Sequence, residues 1–350
     1  MDIFGNCKRA ESGRLPDHAA IKSLDMKHIT ILIPKNAILG SIEGPRQLLT
    51  GVNGYYASLG KPPMFKVELA GITRETALVN GTYTITTERT IDQIDKTDLV
   101  IIPAVDGDPA AALQSNGAFV PWIVRQYGLG AEVASLCIGA FLLASTGLIQ
   151  GKKCATHWMA ANQFRKMFPD INLVAEKIVT DEDGIYTSGG AYSYLHLVLY
   201  LIEKYCGRPA AVFSAKTFAI DIDRDSQSPF MMFTGQKDHD DEAVKKAQRY
   251  IEENFQEKIT VDALADMVSV SRRNFERRFK KATASTVVEY IQRVKIEAAK
   301  MSLESSRDNV NEVMFRVGYS DTKAFRNTFK RLTGLSPVQY KAKYNSAVVA

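Results

Sequence analysis

The chain is poor in cysteine. It has four (Cys7, Cys137, Cys154 and Cys206), with no CxxC pair and no metal-type spacing to the five histidines. That excludes a disulfide-stapled scaffold and a structural zinc module, and it reads as the reducing cytoplasm. No run approaches the roughly 18 apolar residues of a membrane span, so a soluble chain without membrane contact is expected. The first 25 residues are polar and mixed in charge, with no apolar core of the kind a secretory signal needs. Residues 1–26 therefore read as an N-terminal extension, disordered by expectation, and Met26 is a candidate natural start. Fibrous repeats are absent too. With 45% apolar and 24% charged residues, the composition is that of ordinary globular protein, and 350 residues suggest two or three domains.

The charge is small overall, +5, but unevenly spread. From Asp241 to Tyr344 there are 21 Lys/Arg against 14 Asp/Glu, a net of +7, which leaves −2 for the remainder. A near-neutral body followed by a basic region asks what the basic region touches.

From residue 28 onward, short apolar runs alternate with amphipathic segments. Ile29–Ile33, Phe65–Ala70, Leu99–Ile102 and Val133–Leu136 have strand length, whereas Gly44–Leu59, Pro109–Tyr127 and Gly139–Leu148 have helical length. This alternation predicts an α/β sandwich with a mainly parallel sheet. Ile171–Thr180 and Ile185–Thr187 read as a hairpin, and Gly190–Cys206 and Pro209–Ala219 as helices. Residues 27–233 form this domain by expectation. The aperiodic polar stretch 234–241 reads as a linker, and residues 242–344 as an all-α domain.

The helical part contains one design twice. A short amphipathic helix, a tight turn and a second helix recur, with Phe275 and Phe279 matching Phe325 and Phe329 at an offset of 50. This is a tandem helix-turn-helix pattern. At 100° per residue the phenylalanines share one face of each second helix, while Arg273, Arg277 and Lys280, or Lys323, Asn327 and Lys330, occupy the other. A single charged stripe most often just faces solvent. Two copies on the only basic part of the chain point to double-stranded DNA. Arginine and asparagine suit base edges in the major groove. Lys280, Lys281, Lys330 and Arg331 suit phosphates, and Ser271, Arg272, Ser320 and Arg326 complete the candidate contact set.

The segments Ser271–Lys280, Val317–Asp321 and Ala324–Tyr340 resemble the AraC-type DNA-binding domain over about residues 243–344. The resemblance implies two helix-turn-helix units joined by a long helix, here about Val287–Leu303. They would enter successive major-groove segments on one face of the DNA. Asn327 stands where arginine is usual in the second recognition helix, and Lys295 where the linking helix usually carries arginine.

The chemically suggestive feature of the first domain is Cys137. It lies exposed by expectation between a strand and a helix, with Gly139 two residues on, as in a nucleophile elbow. A helix N-terminus would favour its thiolate, and His157 is a candidate proton partner. Against this stand the commoner roles of such residues as buried packing. Ser135–Gly151 and Ala155–Trp158 resemble the class I glutamine-amidotransferase-like (ThiJ/PfpI) superfamily, and more closely its branch fused to AraC-type domains. Asp223–Phe230 resembles that branch as well. The resemblance implies a flavodoxin-like sandwich with Cys137, Ile138 and His157 beside a small-molecule pocket. Enzymes of the superfamily add an acidic residue after the first strand. Glu43 is the only carboxylate in that region, and the His-x-Glu arrangement of amidotransferases is absent.

The expected protein is therefore a sequence-specific DNA-binding transcription regulator. Its first domain would sense a metabolite without catalysis, cofactor or metal. Through the resemblance, the effector would be an amine, an amino acid or a quaternary ammonium compound, with Trp122, Trp158 and tyrosines as candidate walls, and the chain a homodimer. The alternative is a Cys137-dependent hydrolase, amidase or glyoxalase-like enzyme with a DNA-binding module attached. Redox sensing through Cys137 ranks third.

Overall fold

The computed structural model describes residues 26–345 apart from 223, so the expected extension, up to residue 25, lies outside the described residues. The strands are β1 (Lys27–Leu32), β2 (Phe65–Gly71), β3 (Glu75–Leu78), β4 (Tyr83–Thr86), β5 (Arg89–Thr90), β6 (Leu99–Ile102), β7 (Glu132–Ser135), β8 (Lys153–Cys154), β9 (Asn172–Leu173), β10 (Val179–Glu182) and β11 (Ile185–Ser188). The main sheet runs β10-β11-β7-β6-β1-β2-β5. Its pairings are parallel except for β10 with β11.

Seven helices accompany these strands: α1 (Leu39–Ser58), α2 (Pro109–Asn116), α3 (Phe119–Gly128), α4 (Ala140–Ser145), α5 (Ala161–Met167), α6 (Tyr194–Cys206) and α7 (Arg208–Thr217). Side chains alternate across a pleated strand, so the sheet offers both helical layers an apolar face. Ile29 and Ile31 pack with Leu49 of α1 and Leu197 of α6. Leu32, Val100 and Val133 pack on the opposite side with Ile123 of α3, Leu143 of α4 and Phe164 of α5. The result is the expected flavodoxin-like sandwich.

Local departures from the sequence reading have physical causes. α1 begins at Leu39, five residues before Gly44, and carries Pro45 inside it. The stretch read as one helix over Pro109–Tyr127 divides into α2 and α3, with Gly117 as the C-cap of α2. The β3–β4 hairpin was not expected, because its residues are largely solvent-facing and carry little apolar alternation. Ile171–Thr180 yields only β9 and the start of β10.

The C-terminal region contains α8 (Glu242–Glu253), α9 (Val261–Met267), α10 (Arg272–Thr283), α11 (Val287–Ser305), α12 (Val310–Arg316), α13 (Thr322–Thr333) and α14 (Pro337–Tyr344). It has two small cores strung on α11. Val287 and Tyr290 of α11 pack with Phe275 and Phe279, whereas Ile296, Ala299 and Leu303 pack with Phe325 and Phe329. A single helix therefore belongs to both units and sets the relation between them. Lys295, at the junction of the two cores, is 8% exposed, and its ammonium donates to the carbonyl of Gly318 at 3.0 Å.

Candidate functional site

In the helical region, α10 and α13 bury their phenylalanine pairs completely. All twelve residues expected at DNA lie on exposed surface: Ser271, Arg272, Arg273, Arg277, Lys280, Lys281, Ser320, Lys323, Arg326, Asn327, Lys330 and Arg331. Their side chains are not equally free. Arg272 pairs with Asp262 at 3.0 Å and reaches Glu276, and Arg277 donates to Asn274 at 2.8 Å. Arg331 is drawn back to Gln292 on α11 at 2.8 Å, which sets it apart from Lys330.

The two turns differ. Ser269 carries the positive φ of the first turn, 53°, while Gly318 carries that of the second, 75°. A Cβ at Gly318 would lie 2.1 Å from the carbonyl oxygen of Gln256 and 2.6 Å from Lys295 Nζ, so this position admits only glycine. Ser271 begins α10 without a side-chain cap bond. Ser320 does not cap α13 either: Asp321 does, accepting the amide of Ala324 at 2.7 Å.

In the sandwich, Cys137 lies two residues past the last residue of β7, after Leu136, and has φ 56°, a left-handed conformation that is costly for a non-glycine residue. Gly139 sits against β6, where a Cβ would meet the carbonyl of Pro103 at 2.5 Å. The backbone at Cys137 is pinned on both sides: its amide donates to Ser188 Oγ at 3.2 Å, and Thr156 Oγ1 donates to its carbonyl at 3.0 Å.

One expectation about this site needs correction, and the two candidate partners of Cys137 are engaged elsewhere. Cys137 is buried, not exposed, at 4% of its surface. Burial pushes its thiol up, and the amides of Ala191 and Ile138, which favour the thiolate, do not offset this. His157 turns its Nδ1 to the amide of Met159 at 3.1 Å, and burial lowers its pKa, which favours the neutral ring. No hydrogen bond joins it to Cys137 among the described residues. Glu43 lies inside α1, where Arg46 grips it at 2.6 and 2.7 Å and holds its carboxyl below the usual range. Ile138 lines a narrow, mostly apolar cleft with Asn116 and Phe141. Trp122 packs in the core beneath α3 rather than at a pocket wall.

Sequence reasoning missed Gln227, which is 1% exposed. Its Oε1 accepts the amide of Gly190 at 3.0 Å, and its Nε2 donates to the carbonyl of Thr156 at 2.9 Å and to that of Ala175. Gly189 and Gly190 are wedged between side chains: a Cβ on Gly190 would lie 2.3 Å from the His157 ring, and one on Gly189 2.9 Å from Gln227. The residues around Cys137 are thus bonded to the segment that leaves the domain. Only the position of Gln227 in the Asp223–Phe230 segment hinted at this.

A model of the DJ-1/PfpI family matches residues 58–204, and one for a helix-turn-helix domain matches residues 264–343. The HTH-type transcriptional regulator GbdR of Pseudomonas aeruginosa is 25% identical over 259 residues, covering 72% of this chain and 68% of GbdR. CdhR, an HTH-type transcriptional regulator of the same species, is 22% identical over 325 residues, covering 89% of this chain and 90% of CdhR. A solved structure from Vibrio parahaemolyticus, described as a transcriptional regulator, superimposes with a TM-score of 0.50 at 22% identity. It covers 55% of this chain and 99% of its own, and speaks for the fold alone. The chain is an AraC-type helix-turn-helix protein that carries a DJ-1/PfpI domain ahead of its DNA-binding region.

Proposed function

We propose that the chain is a cytoplasmic, sequence-specific transcription regulator that acts as a homodimer and whose sandwich domain senses a small metabolite without catalysing a reaction. The observation that carries the DNA reading is that α10 and α13 each pack a phenylalanine seam on the shared helix α11 and turn a cationic face outward. On B-DNA such faces release counterions, so affinity falls steeply with salt. Arg273 and Arg277 of α10 and Asn327 of α13 are the candidates for base edges, and Lys280 and Lys330 for phosphates.

Support for sensing comes from Gln227. A ligand that moves the loop at Gly190 moves a hydrogen-bond partner of the exit segment, and with it the placement of the DNA-binding region. Such a ligand works only to the extent that it binds one arrangement better than the other. Amines, amino acids and quaternary ammonium compounds are the effectors to test. The buried, protonated Cys137 and the engaged Glu43 favour sensing over cysteine catalysis.

The test is binding of the full-length protein to its own upstream DNA fragment at low salt, with and without these compounds. The expected result is salt-sensitive binding that an effector changes, in the Cys137→Ala variant as in the parent. No binding to any upstream fragment removes the DNA reading. Turnover of a substrate that disappears in Cys137→Ala would restore the enzyme alternative.

A further inference from the structure

Between the sandwich and the helical region lie two adjoining cavities of about 320 Å³ each, which share Glu176, Met231, Met232, Phe233 and Arg293. That volume suits a small metabolite. Three guanidinium groups converge there from separate elements. Arg165 comes from α5 of the sandwich, Arg293 from the middle of α11, and Arg331 from the last turn of the second recognition helix.

Their bonding is uneven. Arg331 donates to Gln292, and Arg293 lies over the face of Phe233 at 5.6 Å. Among the described residues, neither Arg165 nor Arg293 makes a hydrogen bond or closes an ion pair. Two acids lie nearby without pairing: Glu176 attracts both arginines, and Glu289 attracts Arg293 more strongly than Glu176 does. Lys300 and Glu297, also at the wall, satisfy each other at 2.8 Å and contribute no free charge. Partial removal from water holds the pKa values of Arg165 and Arg293 below the usual range, although Arg165 keeps an exposed flank; repulsion by Arg293 adds to this at Arg165, and repulsion by Arg331 at Arg293. Like charges gathered in a partly closed space, with their donors unclaimed, are stabilised by an anion.

We infer that this interdomain cleft is a binding site for a small organic anion, one whose carboxylate or phosphate is held by Arg165 and Arg293 and whose apolar part lies on Phe233, Met231 and Trp158. Guanidinium suits both oxyanions, since its planar fork makes paired hydrogen bonds to either. Arg165 belongs to one domain and Arg293 to the other, so the ligand bridges them. It does so beside the end of α13, where it biases the placement of the second recognition helix. The site is separate from the one near Cys137, and its binding is measured without DNA, so it stands or falls independently of the function proposed above.

The experiment is isothermal titration calorimetry of the full-length protein with inorganic phosphate and with succinate, each at ionic strength matched with sodium chloride. Arg165→Gln and Arg293→Gln are compared with Arg125→Gln, on α3 away from the cleft, and melting curves without probe verify folding. The inference predicts saturable binding of at least one probe. It predicts a loss of about tenfold or more in Arg165→Gln and in Arg293→Gln, and no change in Arg125→Gln. The two probe arms separate a phosphate ligand from a carboxylate one. Heat that follows ionic strength alone, absence of saturable binding for both probes, or equal affinity in all variants would overturn it. So would variants that leave probe binding intact and instead lower the salt slope of DNA binding, because the arginines would then serve DNA phosphates.

Discussion

The two helix-turn-helix units share an interior and differ outside it. Each buries two phenylalanines of its second helix against its own half of α11. Yet the first unit turns on Ser269 and starts α10 without a side-chain cap, while the second turns on Gly318 and caps α13 with Asp321. The connection Val317–Asp321 is one residue longer than Val268–Ser271. The interior of a duplicated motif is held by packing, whereas its turn and caps answer to local neighbours. Gly318 must be glycine because Gln256 and Lys295 close over it. The first turn has no such crowding at a glycine and accommodates serine.

If the interiors are equivalent, Phe279→Ala and Phe329→Ala should destabilise the helical region alike, by about 3–5 kcal/mol each in chemical denaturation. A difference of more than about 1.5 kcal/mol would show that one core dominates. The turns should then behave oppositely. Gly318→Ala is expected to cost about 2 kcal/mol or more, from a strained φ and a backbone clash, while Ser269→Gly should be neutral or slightly stabilising. Equal losses from both would contradict the asymmetry.

The outward faces divide by charge. Arg277→Ala should weaken cognate binding by about 1–3 kcal/mol, relax base preference and reduce the salt slope. Asn327→Ala should weaken binding with the salt slope unchanged, because no charge is removed. Competition assays at two salt concentrations separate these outcomes. The smallest contrast concerns the caps: Asp321→Ala should cost about 1 kcal/mol and Ser271→Ala only a few tenths, read as thermal midpoints.

Much of this was legible before any coordinates. The spacing of Phe275, Phe279, Phe325 and Phe329 declares both the helices and their buried faces, because a 3.6-residue period leaves one choice of interior. The apolar runs declare the sheet for a similar reason. The state of Cys137 was not legible. Its surroundings come from Thr156, Ser188 and Ala191, and a motif at 135–151 says nothing about how deeply those segments cover it. Gln227 and the Arg165–Arg293 pair were hidden in the same way. The Gln227 bonds need the folded sandwich, and the arginines meet only once α11 is in place against it.

The most direct test of the central claim is the salt dependence of binding of the full-length protein to its upstream DNA, followed by fluorescence anisotropy, for the parent, Lys280→Ala and Lys330→Ala. Both lysines are exposed at matching positions of α10 and α13. If both units grip the backbone, log K falls linearly with log salt, and each variant lowers the slope by about 1. A slope that responds to Lys280→Ala but not to Lys330→Ala, or binding indifferent to salt, would contradict a tandem DNA-binding face.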